Sequence, residues 1–217
     1  MGSWLVESLC LDYEVGVYDV DRSKLKYFFN SRKFLYYEEI MDFSPDLLIN
    51  AVSLDKTQEL FDEIISYLPK DCILADITSV KSGLAEYYEK LGRRFVSTHP
   101  MFGPDSASAG LEGMKIALCR VRINDDLYGK VVAYLSRSGL AIIETTPEEH
   151  DRQIAVSLAL THFIGRSLAA FGARELAVDT EGYKRLLHIL GVVEHDTRQL
   201  FIDMHRYNPY AKEIRTA

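Results

Sequence analysis

Cysteine is scarce: 217 residues hold only Cys10, Cys72 and Cys119, with no CxxC pair. An odd, widely spaced set excludes a disulfide framework and a zinc site. Each lies among apolar neighbours, so all three read as small core residues of a protein in a reducing, cytoplasmic compartment. Positive charge is also short, with 25 Lys+Arg against 32 Asp+Glu and a net charge of −7. That argues against nucleic acid or an anionic membrane as the main partner. It leaves room for a local basic pocket around an anionic metabolite. No apolar run approaches the ~18 residues of a membrane span, and the N-terminus lacks the pattern of a signal peptide. Internal repeats and low-complexity stretches are absent, and no spacing reads as a metal site or a Ser-His-Asp triad. The 47% hydrophobic content excludes disorder across the chain.

What is present is an alternation of short apolar runs and amphipathic stretches. Glu14–Asp19 reads as a strand ending in an acid, and Asp21 caps a helix through about Asn30. Asp46–Ala51, Cys72–Asp76 and Arg94–Ser97 are further strands, with helices over Lys56–Leu68 and Ser82–Leu91. Two more strands, Ile116–Val121 and Ala141–Glu144, flank a helix from Asp125 to Ser138. Continuous apolar strands between helices imply a mostly parallel sheet covered on both faces. This is the doubly wound, Rossmann-like α/β class. The pattern changes near Pro147, after which only helical periodicity appears, over His150–Phe171 and Gly182–Arg206. The expected division is a dinucleotide-binding domain over 1–147 and a helical lobe over 148–217. About 70 residues bury little core alone. Ile154, Leu158, Phe163, Leu168, Leu186, Leu190 and Phe201 should therefore pack on a second copy, giving a homodimer.

The chain opens directly in an amphipathic helix, Met1-Gly2-Ser3-Trp4-Leu5-Val6. Gly2 precedes Asp19 by 17 residues, close to the spacing from the last glycine of GxGxxG to the acid that binds the adenosine ribose. The strand and glycines that would precede Gly2 are not in the sequence, which suggests an earlier start or a shortened chain. Without that strand, Glu14–Asp19 and Asp46–Asn50 lose a central neighbour. They must pair directly, borrow a strand from another chain, or leave this region loosened. The expected consequence is weak or absent NAD binding.

Ser97-Thr98-His99-Pro100-Met101-Phe102-Gly103-Pro104 is the most informative stretch. It follows the fourth strand, where ligands bind in this fold class. The bland reading of His99 is a solvated loop histidine. Asp76-Ile77-Thr78-Ser79-Val80-Lys81 ends the preceding strand and would place Ser79 across the same crevice. Alone, Ser79 reads more simply as a helix N-cap. His162, in Leu160-Thr161-His162-Phe163, reads as a buried histidine, and Glu149-His150-Asp151 as an acidic first helical turn.

Together these segments resemble the prephenate and arogenate dehydrogenases of tyrosine biosynthesis. The resemblance runs in order from Met1-Gly2 through Ser79-Val80-Lys81, His99–Pro104, Glu149-His150-Asp151 and Thr161-His162 to Phe201–Pro209. It covers essentially the whole chain, and the His99–Pro104 form is similar to the plant arogenate branch. It implies oxidative decarboxylation of a cyclohexadienol, with hydride passing to NAD. His99 would take the proton of the 4-hydroxyl, which requires neutral imidazole. Ser79 would orient that hydroxyl. His162 and Gly103 would line the substrate pocket, and Lys184 or Arg185 would pair with a substrate carboxylate. Gly2, Asp19, Arg22, Val52, Ser53 and Ser79 would face the cofactor. Asp19 would accept both ribose hydroxyls and repel a 2′-phosphate, so NADP is disfavoured, although Arg22 could soften the preference. The alternatives are another NAD-dependent hydroxyacid dehydrogenase, and a cofactor-impaired or non-catalytic dimer.

Overall fold

The computed structural model describes residues 1–108, 110–194 and 196–216. It divides into two compact units. The first comprises Met1–Val52, Lys56–Thr78 and Glu86–Thr145; the second comprises Ser53–Asp55, Ser79–Ala85 and Thr146–Ala217.

The first unit is built on a five-stranded sheet. Its strands β3 (Leu47–Asn50), β4 (Ile73–Asp76), β5 (Phe95–Pro100), β6 (Lys115–Arg122) and β7 (Ala141–Glu144) lie in that spatial order. β3, β4 and β5 run parallel, β6 is antiparallel to β5, and β7 is parallel to β6. Successive side chains alternate faces, so Val96 and Phe95 serve opposite layers. Helix α6 (Asp125–Arg137) covers one face. Its Leu127, Val131 and Leu135 recur every four residues and pack on Ala75, Val96, Leu118 and Ile123. On the other face Phe95 stacks on Tyr88 of α4 (Ala85–Leu91), ring centroids 3.7 Å apart. Phe61 of α3 (Thr57–Ile64) meets Phe95 edge-on at 5.5 Å.

The N-terminal region departs from the sequence expectation. Helix α1 (Gly2–Leu9) forms, with no residue buried. Strand β1 (Gly16–Tyr18) pairs in parallel with β2 (Arg32–Phe34) as a separate two-stranded sheet. β1 and β3 do not pair, so direct closure between them does not occur. Gly16 permits the β1–β2 contact, because a Cβ there would lie 2.2 Å from a ring carbon of Phe34. Asp21 does cap a helix, accepting the Ser23 amide at 3.1 Å, but that helix is a short 3₁₀ segment, Arg22–Tyr27. β2 and α2 (Tyr37–Phe43) were not expected; both are short, and β2 carries two charged residues in three.

Two boundaries also move. β5 continues past Ser97 through His99 to Pro100, because β6 pairs with it at His99↔Ala117 and Pro100↔Ile116. His99 is thus a strand residue, not the start of a loop. α4 begins at Ala85 instead of Ser82, since Gly83 takes a left-handed φ of +80°.

The second unit is helical. α7 (Pro147–Ile154) continues through one π-helical stretch, Ala155–Ala159, into α8 (Leu160–Phe171). α9 (Glu181–Glu194), α10 (Arg198–Tyr207) and α11 (Ala211–Thr216) follow. Gly165 lets α8 and α9 close together, since a Cβ would come 2.4 Å from Val193. The continuous helix Pro147–Phe171 has an 18-residue window of mean hydropathy 1.5, long and apolar enough by composition to cross a membrane. The stretch is not an uninterrupted apolar run, since Ser157, Thr161, His162 and Arg166 lie within it. Within the unit, its Ile154, Ala155, Ala159, His162 and Gly165 are buried. Ile154 and Leu190, expected at a dimer surface, are 4% and 8% exposed inside the lobe itself.

Candidate active site

In the first unit, the expected cofactor and substrate residues gather at the carboxyl ends of strands. Asp19 directly follows β1, Val52 lies two residues beyond β3, and His99 is the penultimate residue of β5. His99 is 7% exposed. Its strand is fixed from β4 by Asp76, a fully buried carboxylate. Asp76 accepts the Ser97 hydroxyl at 2.7 Å, and the Thr78 amide and hydroxyl at 2.9 and 2.7 Å. Thr98 donates its hydroxyl to the Asp76 carbonyl at 2.7 Å. Burial, and then the Asp76 charge, push the phenol of Tyr88 above its ordinary range. Past the strand, Met101 donates its amide to the Lys115 carbonyl at 2.9 Å, and Gly103 precedes the short helix α5 (Pro104–Ala107). Phe102 meets Trp4 of α1 edge-on at 5.7 Å. A Cβ on Gly2 would touch Ala51 at 3.4 Å. The start of α1, the end of β3 and the loop after His99 therefore adjoin.

Asp19 is engaged locally. It accepts the Asp21 amide at 2.8 Å and lies 3.6 Å from the Lys24 ammonium. Arg22 donates to the Leu35 carbonyl at 3.3 Å and sits 5.1 Å over the Tyr36 ring.

The second unit holds Ser53, Ser79, His162, Lys184 and Arg185. Ser79 is 8% exposed, and Val80 and Lys81 after it are buried. His162 is buried; its Nε2 lies 3.2 Å from Asp196, and its Nδ1 has no hydrogen-bond partner among the described residues. Lys184 is 3.6 Å from Asp179 and borders an open depression of about 530 Å³ with Glu175 and His188. Arg185 pairs with Glu181 at 3.7 Å, both well exposed.

The sequence reading missed one cluster. His150 and Asp151 are not a solvated first turn; they are 4% and 0% exposed. The Asp151 carboxylate accepts the Lys81 and Ser82 amides at 2.8 and 2.6 Å, and His150 Nδ1 lies 2.7 Å from it. Asn208 donates to the Asp151 carbonyl at 2.8 Å. The available signal was helical register: positions 151, 154, 155, 158 and 162 share one face, and all but Asp151 and His162 are apolar.

A mostly parallel sheet, an acid after its first strand, a buried histidine at a carboxyl strand end and a helical second unit define a Rossmann-like nucleotide-binding class. The chain belongs to the prephenate dehydrogenase family: the family's nucleotide-binding domain matches residues 17–138. Residues 167–217 match the TYRAAT1-like, C-terminal domain. A probable arogenate/prephenate dehydrogenase of Methanocaldococcus jannaschii is 32% identical over 180 residues, covering 78% of this chain and 40% of that protein. Chloroplastic arogenate dehydrogenase 2 of Arabidopsis thaliana is 29% identical, with 78% and 50% covered. The chain thus spans half or less of the length of these relatives. Among solved structures, prephenate dehydrogenase of A. aeolicus in complex with hydroxyphenyl propionate and NAD+ superposes with a TM-score of 0.78. The identity is 22%, covering 100% of this chain and 82% of that one. Synechocystis arogenate dehydrogenase gives 0.76 at 16%, with 99% and 83% covered.

Proposed function

We propose that the chain carries out oxidative decarboxylation of prephenate or arogenate in tyrosine biosynthesis, with NAD as hydride acceptor. The observation that carries this is His99, buried at the carboxyl end of β5 inside a family-matched nucleotide-binding domain. The residues present fit the cofactor. Asp19 keeps a partly exposed carboxylate beyond β1, suited to ribose hydroxyls. No side chain caps the start of α1, so its first amides suit a pyrophosphate. Asp19 favours NAD over NADP, and NAD is bound by the A. aeolicus relative. When bound, NAD+ supplies the hydride acceptor.

The remaining work falls to the chain's own residues. Neutral His99 takes the proton of the ring 4-hydroxyl as hydride leaves the same carbon. Loss of carbon dioxide leaves an electron pair that aromatises the ring onto that oxygen, and His99 returns the proton. By the family resemblance, Ser79 and His162 of the second unit and Gly103 of the first act on the substrate, and Val52, Arg22 and Ser53 on the cofactor. Lys184 or Arg185 pairs with a substrate carboxylate; Lys184 borders a depression that Glu175 and Asp179 also line. We place the protein in the cytoplasm, consistent with three free cysteines. We further propose a homodimer through the C-terminal helices. Val156, Phe171 and Val192 on those helices, and Leu176 and Val178 in the loop between α8 and α9, are each at least half exposed.

A second reading, a cofactor-impaired dimer, is favoured because, among the described residues, no strand lies between β1 and β3. Calorimetric titration with NAD, followed by turnover assays on prephenate and arogenate, separates the two. Micromolar binding with turnover supports the dehydrogenase. Binding absent under all conditions supports the impaired form.

A further inference from the structure

We propose that Asp151 is a positioning residue for Ser79, acting through the backbone of Lys81 and Ser82. This rests on the dehydrogenase reading above. The segment Ser79–Ala85 belongs to the helical unit although it lies some 60 residues upstream of it in sequence. The Asp151 carboxylate supplies part of that attachment. Its two carboxylate oxygens take two consecutive backbone amides, Lys81 to Oδ1 and Ser82 to Oδ2. These are the donors that open the turn in which the Leu84 and Ala85 amides bond the Lys81 carbonyl at 3.2 Å.

A bidentate grip on two successive amides fixes both the position and the orientation of the peptide planes. Ser79 lies two residues before the first gripped amide, and the residue between them, Val80, is fully buried. The Ser79 backbone therefore has little freedom left. Asp151 is held in turn from two sides. His150 Nδ1, 2.7 Å away, donates to the carboxylate in the tautomer that carries its proton there. Asn208, 2% exposed, donates to the Asp151 carbonyl, and its own side-chain oxygen accepts the Tyr210 amide at 2.9 Å. A buried carboxylate is a costly way to hold a loop.

Asp151→Asn keeps the shape but offers one oxygen to two amides and turns an NH₂ toward the other. The test is a double-mutant cycle with Ser79→Ala, reading kcat and KM for NAD-dependent turnover. We expect Asp151→Asn to lower kcat about 10²-fold, the scale of a small misplacement of a reacting group, with KM for NAD unchanged. In the Ser79→Ala background the same change should lower kcat less than about 3-fold. Equal losses in both backgrounds would show that Asp151 merely supports the fold, and would overturn the inference. Asn208→Ala, which frees the Asp151 carbonyl, should repeat the pattern with a smaller loss and serves if Asp151→Asn does not fold. Absence of turnover in the parent would instead overturn the dehydrogenase reading, and the inference with it.

Discussion

Strands β5 and β1 sit in the same unit and carry comparable apolar content, yet their surroundings differ. β5 has neighbours on both edges, helices over both faces and all but one residue buried. β1 has one neighbour, β2, and no buried residue. The helix before it in sequence, α1, likewise buries nothing although it is largely apolar. The difference teaches where the fold places its rigidity. His99 stands on a strand paired along both edges, whereas Asp19 follows a strand of the separate two-stranded sheet.

The contrast breaks most easily at the aromatic layer. Phe95→Ala should destabilise the protein by about 3–5 kcal/mol, because the ring is wholly buried against Tyr88 and Phe61. Val17→Ala in β1 should cost less than about 1.5 kcal/mol, since it is only half-buried. Urea denaturation of both variants checks this, and equal losses would erase the distinction. The cysteines sharpen the same contrast. Burial pushes the Cys72 thiol up to about 11 from 9.0, which leaves about 10²-fold less thiolate at neutral pH. Cys10, half-buried beside β1's region, should be alkylated by iodoacetamide well before Cys72. Simultaneous labelling in the folded protein would contradict the burial argument.

A smaller effect belongs to the helical unit. Burial raises the carboxyl of Asp203 above its ordinary value, against the bond from Gln199. A raised folded pKa favours the folded state while the group is protonated, and that support is lost as pH rises through the folded value. Asp203→Asn should therefore raise the melting temperature at pH 7 by a few degrees at most, and the gain should shrink as pH falls toward the carboxylate range. A gain that grows on acidification would reverse the assigned sign.

Much of this was legible in the sequence. β3, β4, β6, β7 and α6 follow from apolar runs and helical spacing, most plainly in β4 and β6, where burial on both faces leaves a strong hydrophobic pattern. The family motif around His99 was equally plain. The parts that were not legible have weak local signals. β2 is three residues long and mostly charged. The extension of β5 to Pro100 comes from pairing with β6, a long-range partner that a proline-containing segment does not announce. Asp151 resembles any acid in a first helical turn until tertiary contacts show it buried and gripping Lys81 and Ser82.

The central claim is that His99 performs the proton transfer while other residues hold the cofactor. The most direct measurement compares His99→Ala with the parent, reading NAD affinity by calorimetry and turnover of prephenate and arogenate by NADH formation. Turnover should fall about 10²–10⁴-fold with NAD affinity changed less than about 3-fold. In the parent, turnover should also decline on the acid side as the imidazole protonates. Comparable turnover in the variant and the parent would contradict the account.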